Sequence, residues 1–281
     1  MALDAKLGRL TLRKLDRELS RLAKKQAPEH VHKFRTHSRR VEALLLEGIP
    51  ELHRNDEKLL KLLARLRKKA GRVRDLDVQI ACLRNLKIPQ GNGHKAQFMD
   101  ALVQERTQRE NKFSKALDRE TVNEIRKRLR RSLHDLEIPG KSDPLARTLS
   151  KLAGLRRSHS ALTERTLHQY RIIGKRARYL AELAVDGPRT HFLVDELKHM
   201  QDVIGDWHDW LKLTQKAEAL LGDVRDSSLV ALLRNVTQAK FRQSLDAVSD
   251  LRGKLAGFAA RPVASESRKS PASETATESA A

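Results

Sequence analysis

Apolar residues recur along most of this chain at intervals of three and four, the spacing that gathers them on one face of a helix. Helix-period stretches run from Asp4 to Gln26, Glu29 to Glu47, Leu52 to Ala70, Arg74 to Leu86 and Lys95 to Leu136. After a break at Ile138, Pro139 and Gly140 they resume from Leu145 to Leu155, Ser160 to Val185, Thr190 to Ile204, Asp206 to Leu221 and Ser227 to Gly257. Pro28, Pro50, Pro89, Pro139, Pro144 and Pro188 fall at or near these boundaries, where a missing amide proton is tolerated. Eight prolines and thirteen glycines are too few for the turns of an all-β sandwich. The pattern predicts an all-α protein.

With 39% hydrophobic and 33% charged residues, a chain of 281 can bury a core beneath heavily solvated helix faces. The N-terminal MALDAKLGRLTLRKLDRELS spaces its apolar residues among charges and lacks the continuous apolar run of a signal peptide. No window approaches a membrane span, and a cytoplasmic address is expected by default. Cys82, in the apolar setting IACL, reads as a small buried side chain, since a single cysteine cannot form an internal disulfide. Residues 261–281, rich in Ser, Ala, Glu and Thr, read as a disordered tail following one domain over 1–260.

Charge changes the picture. Lysine and arginine number 57 against 36 acidic residues, a net charge of +21, and the tail contributes none of the excess. So large a positive charge repels itself within a compact fold and points to a polyanionic partner: nucleic acid, an anionic membrane or a phosphate polymer.

The two halves of the chain, about 1–138 and 141–260, also carry a repeat. HKFRTHSRR (His32 to Arg40) returns 136 positions later as HQYRIIGKR (His168 to Arg176). Downstream, GRVRDLD (Gly71 to Asp77) corresponds to GDWHDWL (Gly205 to Leu211), 134 positions on. Two matches in the same order indicate duplication, hence two related helical halves facing each other across an approximate two-fold axis. On a helix His32, Arg35 and Arg39 share a face, as do His168, Arg171 and Lys175, with Arg178 joining them. Like charges four residues apart repel by a few tenths of a kcal/mol per pair, and an extended anion along each ladder would offset that. Arginine forks suit phosphate, and lysine serves as a movable point charge. Asp75, Asp77 and Asp209 in the companion motifs are expected either to orient Arg74, His208 or neighbouring cations, or to cap helix starts after Gly71 and Gly205.

VHKFRTHSRR and GRVRDLDV in the first half, with LHQYRIIGKRARYL and LKHMQDVIGDWHD in the second, resemble the CHAD family, the conserved histidine α-helical domain. The resemblance covers most of residues 1–260. It implies two pseudo-symmetric antiparallel helical bundles around a basic central groove or pore, with inorganic polyphosphate as ligand and, for some members, residence on intracellular polyphosphate granules. By motif position it designates His32, Arg35, Arg39, Arg40, Arg74, His168, Arg171, Lys175, Arg176, Arg178, Lys198 and His208 as polyphosphate-binding residues. Thr36 departs from the family's usual aliphatic residue. Glu42, standing where the second half has Arg178, shortens the first ladder by one cation.

Other functions fit less well. Nucleic acid would meet the same phosphate ladder, but ten aromatic residues and no base-reading module speak against sequence-specific readout. Glu29 with His32 and Glu196 with His199 match a di-iron helical spacing, yet Arg35 and Arg39 share the face of His32 and would repel a metal. The His208–Asp209 dipeptide is similar to one used by metal-dependent helical phosphohydrolases, which require further ligands. The segment Ser227 to Gly257 lacks the aromatic anchors of an interfacial helix, and Trp207 and Trp210 are expected to pack between helices. The reading is a binding protein with no catalytic residue, metal or cofactor.

Overall fold

The computed structural model describes residues 4–49, 51–87, 93–138, 143–157, 162–223 and 227–260. Among them are nine helices and no strand: α1 (Ala5–Lys24), α2 (Pro28–Gly48), α3 (Arg54–Asn85), α4 (His94–Ser114), α5 (Arg119–His134), α6 (Pro144–Arg157), α7 (Glu164–Ala181), α8 (Pro188–Leu221) and α9 (Ser228–Ala260). The tail expected over 261–281 and the break at Pro139 and Gly140 lie outside the described residues.

Helix starts follow local chemistry. Asp4 accepts from the Lys6 amide at 2.7 Å, and the Thr163 and Thr166 side chains cap one another's backbone at the start of α7. Pro28 and Pro188 open α2 and α8, where the missing amide proton costs nothing.

Three boundaries differ from the sequence expectation. The helix runs uninterrupted through Gly71 and through Gly205, so α3 and α8 are single rods of 32 and 34 residues. Glycine lowers helix propensity by about 1 kcal/mol, which tertiary packing overrides here. The expected Lys95 to Leu136 stretch instead divides, because Asp118 caps a new helix by accepting from the Thr121 amide at 2.6 Å.

Three apolar cores hold the rods together. The first joins α1, α2, α5 and the front of α3 through Leu15, Phe34, Leu44, Leu63 and Ile125, and Leu183, just past α7, inserts into it. A second joins α6, α7, the front of α8 and the back of α9 around Leu167, Tyr170, Leu197, Trp207 and Val248. In the third, the back of α3 and α4 meet the back of α8 and the front of α9 through Leu83, Phe98, Leu102, Leu213 and Leu233, with Trp210 and Cys82 at its edge. The chain therefore closes on itself through α2 against α7 and through α3 and α4 against α8.

Candidate functional site

The α2–α7 and α3–α8 contacts enclose a seam lined from both parts of the chain. Arg35 reaches from α2 to α3, donating Nη1 to Asp75 Oδ1 at 3.2 Å and to the Gly71 carbonyl at 3.5 Å. The guanidinium lies close over Gly71, where a Cβ would make ordinary contact with it at 3.6 Å. From α7, Arg171 and Lys175 enter the same space, where Arg39, Arg35 and Asp209 act on Lys175, and Arg39, Asp209 and Asp75 act on Arg171. Arg74 bears on His32 and Arg35. The rings of His168 and His208 stand 5.9 Å apart.

Several contacts recur at the spacing of the repeat. Arg67 donates to the Ser38 carbonyl at 3.4 Å, and Gln201 donates to the Gly174 carbonyl at 2.8 Å. Ser38 and Gly174 lie 136 positions apart, Arg67 and Gln201 134. The partners Arg35 and Asp75 return as Arg171 and Asp209, and the neighbours His32 and Arg74 return as His168 and His208.

Burial and neighbouring charges perturb six groups in the seam, His32, Arg35, Arg171, Lys175, His208 and Asp209. Burial, then Arg171, Arg39 and Arg35, push the Lys175 ammonium down to about 7. His208 is driven down to about 4 by burial, then by Arg171, Lys212, His168 and Lys175. Arg35 and Arg171 are lowered chiefly by desolvation. Asp209 moves up to about 6, because burial and the nearby Asp75 and Asp206 outweigh Arg171 and Lys175. The Arg171 Nε is buried with no hydrogen-bond partner among the described residues.

Other designated residues lie elsewhere. Arg40 and Arg176 are each five positions beyond the first arginine of their ladder, ~140° around the helix. Arg40 accordingly donates to Glu182 Oε2 at 2.8 Å, and Arg176 is exposed, as is Lys198. Arg178 pairs with the other oxygen of Glu182 at 3.2 Å and lies over the Tyr179 ring. Glu42 is taken by Arg67 at 2.7 Å, so the fourth rung is an ion pair on both helices and the acidic substitution leaves no bare negative charge. Asp77 points away to Arg106 of α4 at 2.6 Å. None of Asp75, Asp77 and Asp209 caps a helix, because α3 and α8 do not begin at Gly71 and Gly205. Lys212 joins the seam through its charge on His208, although it stands outside the repeated motifs. Its signal in the sequence is a cation one turn beyond His208 on the same face.

Among the described residues no three His, Cys, Asp or Glu side chains gather as a metal site, and no helix is long and apolar enough to cross a membrane.

An all-helical fold that gathers a half-buried row of cations between its helices is the class defined by this geometry. The chain belongs to the CHAD family: the model of the CHAD domain matches residues 7–218. Two solved structures are similar in fold. The CHAD domain from the plant Ricinus communis has a TM-score of 0.67 at 16% identity, over 91% of this chain and 94% of that one. PptA from Streptomyces chartreusis has a TM-score of 0.64 at 16% identity, over 92% of this chain and 100% of that one. No curated protein sequence matches.

Proposed function

We propose that the seam binds inorganic polyphosphate and holds it without reacting with it. The observation that carries this reading is the convergence of Arg35, Arg39, Arg171 and Lys175 on one half-buried space, where the exposed Asp75 and the half-buried Asp209 are the carboxylates acting on them. With Asp209 displaced toward protonation, the space is positive and poorly hydrated, the condition in which a polyanion gains most from entering. A linear phosphate chain suits a row of arginine forks better than a compact anion does, since each fork grips one phosphate. Membership of the CHAD family favours the same ligand, and we extend to this chain the association of some members with polyphosphate granules. The recurring contacts are read as two halves related by an approximate two-fold axis, so that either end of the polymer meets equivalent donors.

Competition separates this ligand from nucleic acid. Long-chain polyphosphate bound to the protein should resist displacement by duplex DNA at equal phosphate concentration. Displacement by DNA would overturn the reading. No phosphate should be released from bound polyphosphate when divalent metals are added.

A further inference from the structure

Helix α2 carries cations on two faces. Arg35 and Arg39 look into the seam, whereas Lys33 and His37 lie ~160–200° from Arg35, turned toward α1. There they line a cleft of about 310 Å³ with Lys14, Arg17, Glu18 and Arg21 of α1. That volume lies at the lower end of the roughly 300–1,000 Å³ typical of small-ligand sites.

The charges in this cleft do not cancel. Arg21 donates to Glu18 Oε1 at 2.8 Å and Glu18 Oε2 lies 3.9 Å from His30 Nδ1, so the one carboxylate of the lining faces the four cations Lys14, Arg17, Arg21 and Lys33. Lys14, Arg17 and Lys33 meet no carboxylate partner among the described residues, and His37 Nδ1 is buried with no hydrogen-bond partner. At the repeat spacing, α7 has Gln169 and Ile173 where α2 has Lys33 and His37, so the cleft is a feature of the first half alone and forms no part of the duplicated seam.

We infer that the α1–α2 cleft is a second anion site, built for a short inorganic oligophosphate of about three phosphate groups. Lys14, Arg17 and Lys33 supply the charge, and the His37 ring lines the cleft beside them. Its lining offers no aromatic platform other than His37 and no apolar wall for a nucleobase, so the phosphate chain and not a nucleotide is the object recognised. The inference stands apart from the seam reading, because no cation serves both sites.

Titration of the full chain with sodium tripolyphosphate, followed by nitrogen-15 NMR of the histidine rings, tests it. The His37 signals, assigned with His37→Gln, should shift saturably both in the native protein and in Arg39→Ala/Arg171→Ala. The triple variant Lys14→Ala/Arg17→Ala/Lys33→Ala, checked for unchanged helicity, should lose that shift at least about tenfold in affinity while His168 and His208 still respond. Three charge-assisted contacts carry more than the 1.4 kcal/mol that tenfold represents. His37 signals that stay still while His168 and His208 move would overturn the cleft, as would a His37 shift that survives the triple substitution. ATP binding this cleft more tightly than tripolyphosphate would overturn the inorganic assignment. The reverse pattern, with His37 shifting and the seam histidines silent, would sink the seam reading and leave this one standing.

Discussion

Lys175 is the seam cation whose charge the fold opposes most strongly. With its ammonium pushed down from 10.5 to about 7, the unfolded chain holds a proton that the native seam releases between those values. Its contribution to the stability of the fold therefore grows as pH rises across that window. For Asp209, raised from 3.8 to about 6, the native state holds the extra proton, and stability from this group is lost as pH rises through that interval. A bound polyanion reverses the preference of Lys175 and favours its charged form. Polyphosphate affinity should therefore strengthen as pH falls from about 8 to 6, with uptake of about half a proton at pH 7 that grows towards one proton above pH 8. Calorimetry in buffers of different ionisation heat reads that proton, and Lys175→Arg should abolish the uptake. Uptake unchanged in that variant would remove Lys175 from the binding step. Without ligand, Lys175→Met should stabilise the fold by roughly 1–2 kcal/mol in urea denaturation, since it withdraws a crowded buried charge.

At the scale of the helix, a face can be computed from spacing, whereas what lies opposite it cannot. The shared faces of His32, Arg35 and Arg39 and of His168, Arg171 and Lys175 are legible for that reason. So is the ~140° offset of Arg40 and Arg176, once the helical wheel is preferred to the motif. Illegible is Glu182, whose hold on Arg40 and Arg178 depends on α2 lying beside α7. Gly71 and Gly205 resemble helix breaks because glycine lacks intrinsic propensity, and only tertiary packing shows why α3 and α8 continue. The α4–α5 turn escapes a search for breakers because it has neither glycine nor proline, although Asp118 three residues before Thr121 is a capping signal. These rods suggest two contrasting substitutions. Nothing lies within 4 Å of a Cβ at Gly205, so Gly205→Ala should raise stability by about 1 kcal/mol with binding unchanged. A Cβ at Gly71 makes ordinary contact with the Arg35 guanidinium, and the longer Gly71→Leu should push Arg35 from Asp75 and weaken polyphosphate binding several-fold. Equal affinity in the native protein and Gly71→Leu would argue that Arg35 does not touch the ligand.

For the molecule as a whole, the proposed binding rests chiefly on neutralisation of charge. Polyphosphate affinity should fall steeply and linearly on logarithmic axes as salt increases, because each contact releases counterions. Removing Arg35, Arg39, Arg171 and Lys175 together should flatten that slope and weaken binding at least about tenfold, while Arg176→Ala should change little. A slope unaltered by the quadruple substitution would relocate the ligand. Glu182→Gln should destabilise the fold by roughly 1–3 kcal/mol, because it frees two half-buried guanidinium groups at the junction of α2 and α7.

The third apolar core draws on both parts of the chain in equal measure, with Leu83, Phe98 and Leu102 from one side and Leu213, Leu229 and Leu233 from the other. Neither part can close that layer alone. Cut between α5 and α6, each fragment would therefore bare an apolar flank that only its complement covers. The covalent link holds those two flanks at a fixed local concentration, where separate fragments would have to meet by diffusion.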